Sequence, residues 1–328
     1  MKKIYVLATG GTIAGSAESD TATTGYQAGA IGVDALLDAV PEIRRIAEVS
    51  GEQIAAIDSK DMTQEVQLRL ARRCNELLAF AGIDGIVITH GTDTIEETAY
   101  LLSLLACTDK PIVLTGAMRP ATAISADGPL NLLDAVRVAA SDEARDQGVL
   151  VVMNNQIDGA HDVTKSHTTA VNTFQSPNGG PLGTVDDGAV KFSRHSCFTH
   201  LENSLQLGKN VQKLPDVRIL YGCAGDDGLL VEAAVKAGAK GIVYAGMGNG
   251  SLPAPVEEKL AAAVKQGIAV VRSSRGYAGN VTVAEAFYET AGFFRSGSLN
   301  PQKARILLQL ALANGNDAKK IQAWFDRY

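Results

Sequence analysis

Two short stretches carry residues able to do covalent chemistry. One is Thr9-Gly10-Gly11-Thr12-Ile13-Ala14-Gly15, the other Thr89-His90-Gly91-Thr92-Asp93-Thr94. Thr12 and Thr92 offer hydroxyl nucleophiles. The glycines beside them let a substrate carbonyl approach backbone N–H groups, as an oxyanion site requires. A threonine hydroxyl is a weak nucleophile at neutral pH, so an activating group must stand near it. Lys165, within Asp162-Val163-Thr164-Lys165-Ser166, is a candidate base, and Asp93 could hold a substrate ammonium. Each also has an ordinary reading: threonines at strand ends cap helices, Asp93 could cap the next helix, and lysines are mostly solvated.

Other chemistries fit less well. Gly10-Gly11 and Gly15 do not follow the G-x-G-x-x-G order, and no lysine follows them as in a phosphate-binding loop. Gly208-Lys209 fails too, because Asn203 and Asn210 occupy the required Gly and Ser/Thr positions. Gly246-Met247-Gly248-Asn249-Gly250 follows a strand pattern, but its third glycine comes one residue early for a dinucleotide turn. The five histidines show no metal-ligand spacing, and His90 could simply bond the backbone inside its turn.

The elements that position these residues alternate between short apolar runs and helical patterns, which predicts two α/β domains with mainly parallel sheets. Residues 4–8 and 85–89 read as buried strands that end at the two threonine turns. In open parallel sheets that end is where ligands bind. Residues 16–31, rich in Ser, Thr, Gly and Ala, read as a lid-like loop whose one aromatic residue is Tyr26. Strands are expected at 53–57, 112–114, 148–153, 217–221, 241–245 and 268–272. Helices are expected at 33–40, 63–80, 94–106, 228–237, 256–265, 301–312 and 317–328, with another opening at Asp127-Gly128-Pro129. Thr94-Ile95-Glu96-Glu97 reads as a capping box. Residues 155–213 turn polar, predicting irregular structure with short antiparallel strands. The organisation expected is therefore a larger domain over 1–190 with both threonines, a linker over 191–215 and a smaller domain over 216–328.

Composition sets the outer bounds. The 328 residues are 46% hydrophobic and 20% charged, ordinary values for a globular chain, and the net charge of −6 gives no electrostatic reason to expect nucleic acid or an anionic membrane surface. No stretch approaches the roughly 18 apolar residues of a membrane span. Lys2-Lys3 and the short apolar run after them stop at glycines, which reads as a first strand rather than an export signal. As written, the chain is expected in the cytoplasm, or in the periplasm if a leader has been removed. The four cysteines, Cys74, Cys107, Cys197 and Cys223, lack metal-type spacing, and Cys74 falls in a helical pattern as a packed thiol.

Taken together, the motifs resemble those of the bacterial L-asparaginases, including the glutaminase-asparaginases, and the branch with the high-affinity (type II) enzymes is the closer match. The resemblance rests on Thr9 through Gly15 and on Gly85 through Thr98 (GIVITHGTDTIEET), and it continues along the chain. It takes in Gly116 through Pro120, Ser125 through Pro129, Asp162 through Lys165, Gly246 through Ser251, Arg272 through Arg275 and Leu299 through Pro301.

The resemblance implies hydrolysis of L-asparagine to L-aspartate and ammonia through a covalent acyl-enzyme, with weaker action on L-glutamine and no metal or cofactor. It implies Thr12 as primary nucleophile with Tyr26 as its partner. Thr92, Asp93 and Lys165 form a second cluster in which Lys165 and Thr92 help activate the nucleophile or water and Asp93 holds the substrate α-amino group. Ser59 binds the α-carboxylate. It further implies a homotetramer in which a neighbouring subunit supplies Asn249 and an acidic residue, best matched by Glu285 with Glu289 close by.

Two positions depart from the pattern. Lys60 stands where Gln or Glu is usual, and a cation beside a substrate ammonium would repel it by about 4 kcal/mol at 4 Å in an effective dielectric near 20. The expectation is that Lys60 points away. Thr108 replaces one cysteine of a pair found in some secreted relatives. The alternatives are the ammonia-producing subunit of a tRNA-dependent amidotransferase, which needs an added N-terminal domain that the residues before Thr9 do not provide, and a non-catalytic amino-acid-binding module. A binding module has no need of Thr12, Thr92 and Lys165 together.

Overall fold

The structure, a computed structural model, describes residues 1–17, 19–21, 27–197, 207, 211–315 and 317–328. The chain divides into two compact units, residues 1–205 and 206–328. The linker expected over 191–215 overlaps 198–206 and 208–210, and the lid expected over 16–31 includes 18 and 22–26. All of these, Tyr26 among them, lie outside the described residues.

In the first unit the strands are β1 (Lys2–Gly10), β2 (Ala47–Ile57), β3 (Gly85–Thr89), β4 (Ile112–Thr115), β5 (Val149–Met153) and β6 (Gln156–Gly159). They are followed by β7 (Thr164–Lys165), β8 (Phe174–Gln175), β9 (Gly183–Asp186) and β10 (Ala189–Phe192). Eight of them form one sheet in the order β10-β9-β6-β5-β4-β3-β1-β2, while β7 and β8 pair by themselves. From β2 to β5 the pairing is parallel and from β5 to β10 antiparallel. The α/β expectation holds, and the antiparallel strands fall in the segment whose composition turns polar.

Strands β3, β4 and β5 are buried along their length, with Val87, Val113, Leu150 and Val152 in one core beneath Leu132, Ala135, Val136 and Ala139 of helix Gly128–Ala140. Fully burying such side chains contributes about 1.5–3 kcal/mol each, which anchors the strand ends that bear the turns. Cys74 is buried in helix Gln64–Leu78, and burial pushes its thiol pKa up.

Two local expectations need correction. β2 begins six residues earlier than the apolar pattern predicts. It is the edge strand, and its first half alternates with the polar residues Glu48, Ser50 and Glu52, so periodicity hid it. Thr94 does precede helix Ile95–Leu105, but its hydroxyl caps nothing. It donates instead to the Ser59 carbonyl at 2.9 Å, a partner 35 residues away.

In the second unit β11 (Val217–Tyr221), β12 (Gly241–Gly246), β13 (Ala269–Ser274) and β14 (Phe294–Arg295) form an all-parallel sheet in that order. Helices Leu229–Lys236, Ala254–Lys265, Ala286–Thr290, Pro301–Ala313 and Ala318–Arg327 complete it. Its core gathers Val231, Ile242, Tyr244, Val256, Leu260, Val270, Tyr288 and Phe293. Among the described residues, no helix is long and apolar enough to cross a membrane.

Candidate active site

The first threonine turn leaves β1 through two glycines that no other residue could replace without strain. Gly10 and Gly11 have φ of +100° and +81°, the left-handed region in which glycine alone carries no Cβ penalty. A Cβ on Gly10 would lie 2.6 Å from both the N and the O of Ile57, and one on Gly11 would lie closer than 3.0 Å to the Cα and N of Gly91. The two turns therefore touch backbone to backbone. Thr9 Oγ1 adds a buried tie at 2.9 Å to the Thr89 carbonyl. Thr12 follows in a single 3-10 turn, buried, with Gly15 N donating to its carbonyl at 2.8 Å.

The second turn is held from three sides. Gly91 packs on Ser59, where a Cβ would come within 2.5 Å of Ser59 Oγ. Ser59 Oγ accepts from Asp93 N at 3.1 Å, and Ser59 is buried in a one-turn 3-10 helix after β2. Gly116, after β4, packs so closely that a Cβ would sit 2.6 Å from the His90 carbonyl and 3.3 Å from Thr92 Cγ2. His90 is buried with Nδ1 2.7 Å from the Gly91 carbonyl, and burial lowers its pKa to about 4. It is therefore a neutral structural ring near pH 7, consistent with the ordinary reading of its sequence position.

Lys165 reaches this turn from β7. Its Nζ donates to Thr92 Oγ1 at 2.9 Å and to Asp93 Oδ1 at 2.6 Å. The hydroxyl of Thr92 is buried with its residue, the Lys165 side chain is 18% exposed and that of Asp93 54%. The buried hydroxyl and the open carboxylate differ in the way expected of them, since only Asp93 is expected to meet a free ammonium. Thus Thr92, Asp93, Lys165 and Ser59 converge, and Thr12 stands on the turn packed against theirs.

Lys60 is engaged within its own turn. Its ammonium pairs with Asp58 at 2.8 Å and Asp61 at 3.2 Å. The hydrogen bonds from Asp58 and then Asp61 raise its pKa above the ordinary lysine value.

In the sequence Asp127 stands at the opening of a helix. It makes no side-chain cap there. Its carboxylate accepts from Met118 N and Arg119 N at 2.9 Å each and fixes the loop that begins with Gly116. An Asp before Gly-Pro looks the same in sequence whether it caps forward or reaches back nine residues.

In the second unit, Asn249 is exposed on the loop after β12 and bonds reciprocally with Thr282. Asn249 Nδ2 donates to Thr282 Oγ1 and Thr282 N donates to Asn249 Oδ1, both at 2.8 Å. Glu285 is exposed immediately before helix Ala286–Thr290, and its side chain makes no hydrogen bond among the described residues. Glu289 lies 3.5 Å from Arg295, which makes Glu285 the less committed of the two carboxylates.

Comparison with known proteins adds an independent line. The family model described as "Asparaginase, N-terminal" matches residues 3–197, and that described as "Glutaminase/Asparaginase C-terminal domain" matches 216–325. The chain is 51% identical over 328 residues to "L-asparaginase 2" of Bacillus subtilis (strain 168), covering 100% of this chain and 87% of that one. It is 44% identical over 330 residues to a "Glutaminase-asparaginase" of Pseudomonas fluorescens biotype A, covering 100% and 91%. The crystal structure of a probable cytoplasmic L-asparaginase from Campylobacter jejuni is similar with a TM-score of 0.97 at 48% identity, each chain covered completely.

Proposed function

This chain belongs to the asparaginase family, and we propose that it hydrolyses L-asparagine to L-aspartate and ammonia, with weaker action on L-glutamine. Relatives named L-asparaginase and glutaminase-asparaginase support both activities. The observation that carries the site assignment is Lys165 Nζ bridging Thr92 Oγ1 and Asp93 Oδ1 on a turn that packs against the turn of Thr12.

In this reading Thr12 Oγ1 attacks the side-chain amide carbon, its proton passes to a neighbouring base, and the C–N bond breaks as the nitrogen takes up a proton and leaves as ammonia. The resulting ester is then cleaved by water, which restores the hydroxyl. Splitting amide hydrolysis into these two steps lowers the barrier of each. Tyr26 is the partner of Thr12. The Lys165–Thr92 hydrogen bond offers the route by which a proton leaves the attacking hydroxyl or water. Asp93 spends one oxygen on Lys165 and holds the substrate ammonium with the other, while Ser59 receives the α-carboxylate. With Lys60 tied to Asp58 and Asp61, that ammonium meets net negative surroundings. A homotetramer places Asn249 and Glu285 of one subunit at the site of another.

The test is ammonia release by the purified chain from L-asparagine, L-glutamine and their D-forms, alongside Thr12→Ala. The expected result is release from the L-amides, fastest from asparagine, and a fall of about 10³-fold or more in kcat for the variant with unchanged thermal unfolding. Binding of L-asparagine without ammonia release would favour the binding module, and full activity of Thr12→Ala would remove Thr12 from its role.

A further inference from the structure

Arg272 appears in the sequence only as part of a motif, yet its surroundings single it out. It lies on β13 and is fully buried. Its guanidinium forks between two separate segments. Nη1 lies 3.3 Å from the carbonyls of both Asn249 and Gly250, and Nη2 donates to the carbonyls of Thr282 and Val283 at 2.7 and 3.2 Å. The Tyr288 ring supports it from one side, 4.0 Å from Cζ to the ring centroid. Tyr288 in turn donates to Glu257 at 2.9 Å and accepts from Leu252 N at 3.3 Å.

No carboxylate among the described residues comes within salt-bridge distance of this cation. Its partners are backbone carbonyls, and burial lowers its pKa from the ordinary arginine value while Tyr288, Glu289 and Glu285 oppose that shift. A buried cation without a counter-ion is a poor way to stabilise a core, since an apolar side chain of similar volume packs at less desolvation cost. What an apolar side chain cannot do is hold four carbonyls from two loops at once, which the rigid fork of a guanidinium does.

Those two loops carry Asn249 and Glu285. Val283 O, gripped by Arg272, also accepts from Glu285 N at 2.8 Å, closing a three-residue turn around Ala284. Ala284 has φ of +58°, a conformation an L-residue keeps only where its surroundings enforce it. The Asn249–Thr282 pair forms a second bridge between the same loops.

We propose that Arg272 is a positioning residue, whose buried fork fixes the loop of Asn249 against the loop of Glu285 and so sets the geometry of the two groups this chain supplies to a neighbouring subunit. The inference rests on the shared-site reading above. It assigns Arg272 no contact with substrate.

The test uses Arg272→Met in the full-length oligomer. KM for L-asparagine should rise about tenfold or more while kcat falls less, because the Thr12 half of the same subunit is untouched. Mixed in equal amounts under exchange with Thr12→Ala chains and assayed at L-asparagine well below the wild-type KM, the variant should recover up to about a quarter of wild-type activity, the share of sites that random pairing builds from two intact halves. Thr12→Ala mixed with Glu285→Gln is the control. Recovery in the control without recovery for Arg272→Met would overturn the positioning role and leave the shared site standing. No recovery in either mixture would overturn the shared site itself, and an unchanged KM would overturn the inference outright. Should Arg272→Met fail to fold, Thr282→Val, at an exposed position, removes the side-chain half of the second bridge and keeps the backbone N–H on Asn249 Oδ1. It should raise KM about two- to threefold with kcat unchanged, and an unchanged KM there would count against the coupling of the loops.

Discussion

The contact between Gly11 and Gly91 makes a demanding prediction for Gly11→Ala. The added methyl meets two independent penalties. At φ +81° an L-residue costs about 1–2 kcal/mol, and the Cβ would press on the Cα and N of Gly91 closer than 3.0 Å, an overpacking that typically costs about 1–3 kcal/mol. Gly91 has little room to yield, because Ser59 fills the space beside it. A destabilisation of about 2–5 kcal/mol follows, or about 4–20 °C in Tm for a unit of this size. Displacement of the turns by about 1 Å should lower kcat/KM by about 100-fold. The assay pairs thermal unfolding with ammonia release, with Gly82→Ala as control, since a Cβ there meets nothing within 4 Å. If Gly11→Ala kept Tm within about 2 °C and kcat/KM within about twofold of wild type, the turns would not depend on backbone contact and the reasoning would be refuted.

Two further outcomes are expected. Lys165→Met should lower kcat by about 10²–10⁴-fold, the usual span for a lost proton-transfer group; steady-state kinetics with an unchanged kcat would remove Lys165 from the chemistry. His90 should make stability depend on pH. Its folded pKa is depressed to about 4 by burial, against about 6.5 when unfolded, so the unfolded state binds the proton first. Its contribution is complete above about pH 6.5 and is lost as pH falls towards about 4, about 3 kcal/mol across the window. Urea midpoints of wild type and His90→Asn should converge as pH falls through this range, and parallel curves would contradict the assignment.

Much of this was legible in the sequence wherever local rules decide. Strand 85–89 is apolar without interruption, and its end at Thr89 falls where the pattern puts it. The glycines of the first turn announce a backbone that only glycine adopts. What stayed hidden depends on partners far along the chain. Thr94 looks like a cap because four residues cannot reveal that its hydroxyl goes to Ser59. Asp127 reads forward into a helix while it holds a loop behind it. Lys165 was singled out as a candidate base, but no spacing rule brings it 73 residues back to Thr92. The motif resemblance supplied that link before the fold did. The first half of β2 was missed because edge strands obey a weaker pattern.

The separation between Thr92 and Lys165 also orders events in time. Synthesis runs from the N-terminus at about 5–20 residues per second, so roughly 4–15 s pass between the emergence of the two partners of the 2.9 Å hydrogen bond, 73 residues apart. A nascent chain made as far as Thr94 already owns both threonine turns, yet lacks the lysine that bridges Thr92 and Asp93. If Lys165 has the role proposed for it, hydrolytic competence must wait for a residue made well after the strands that bear both threonine turns.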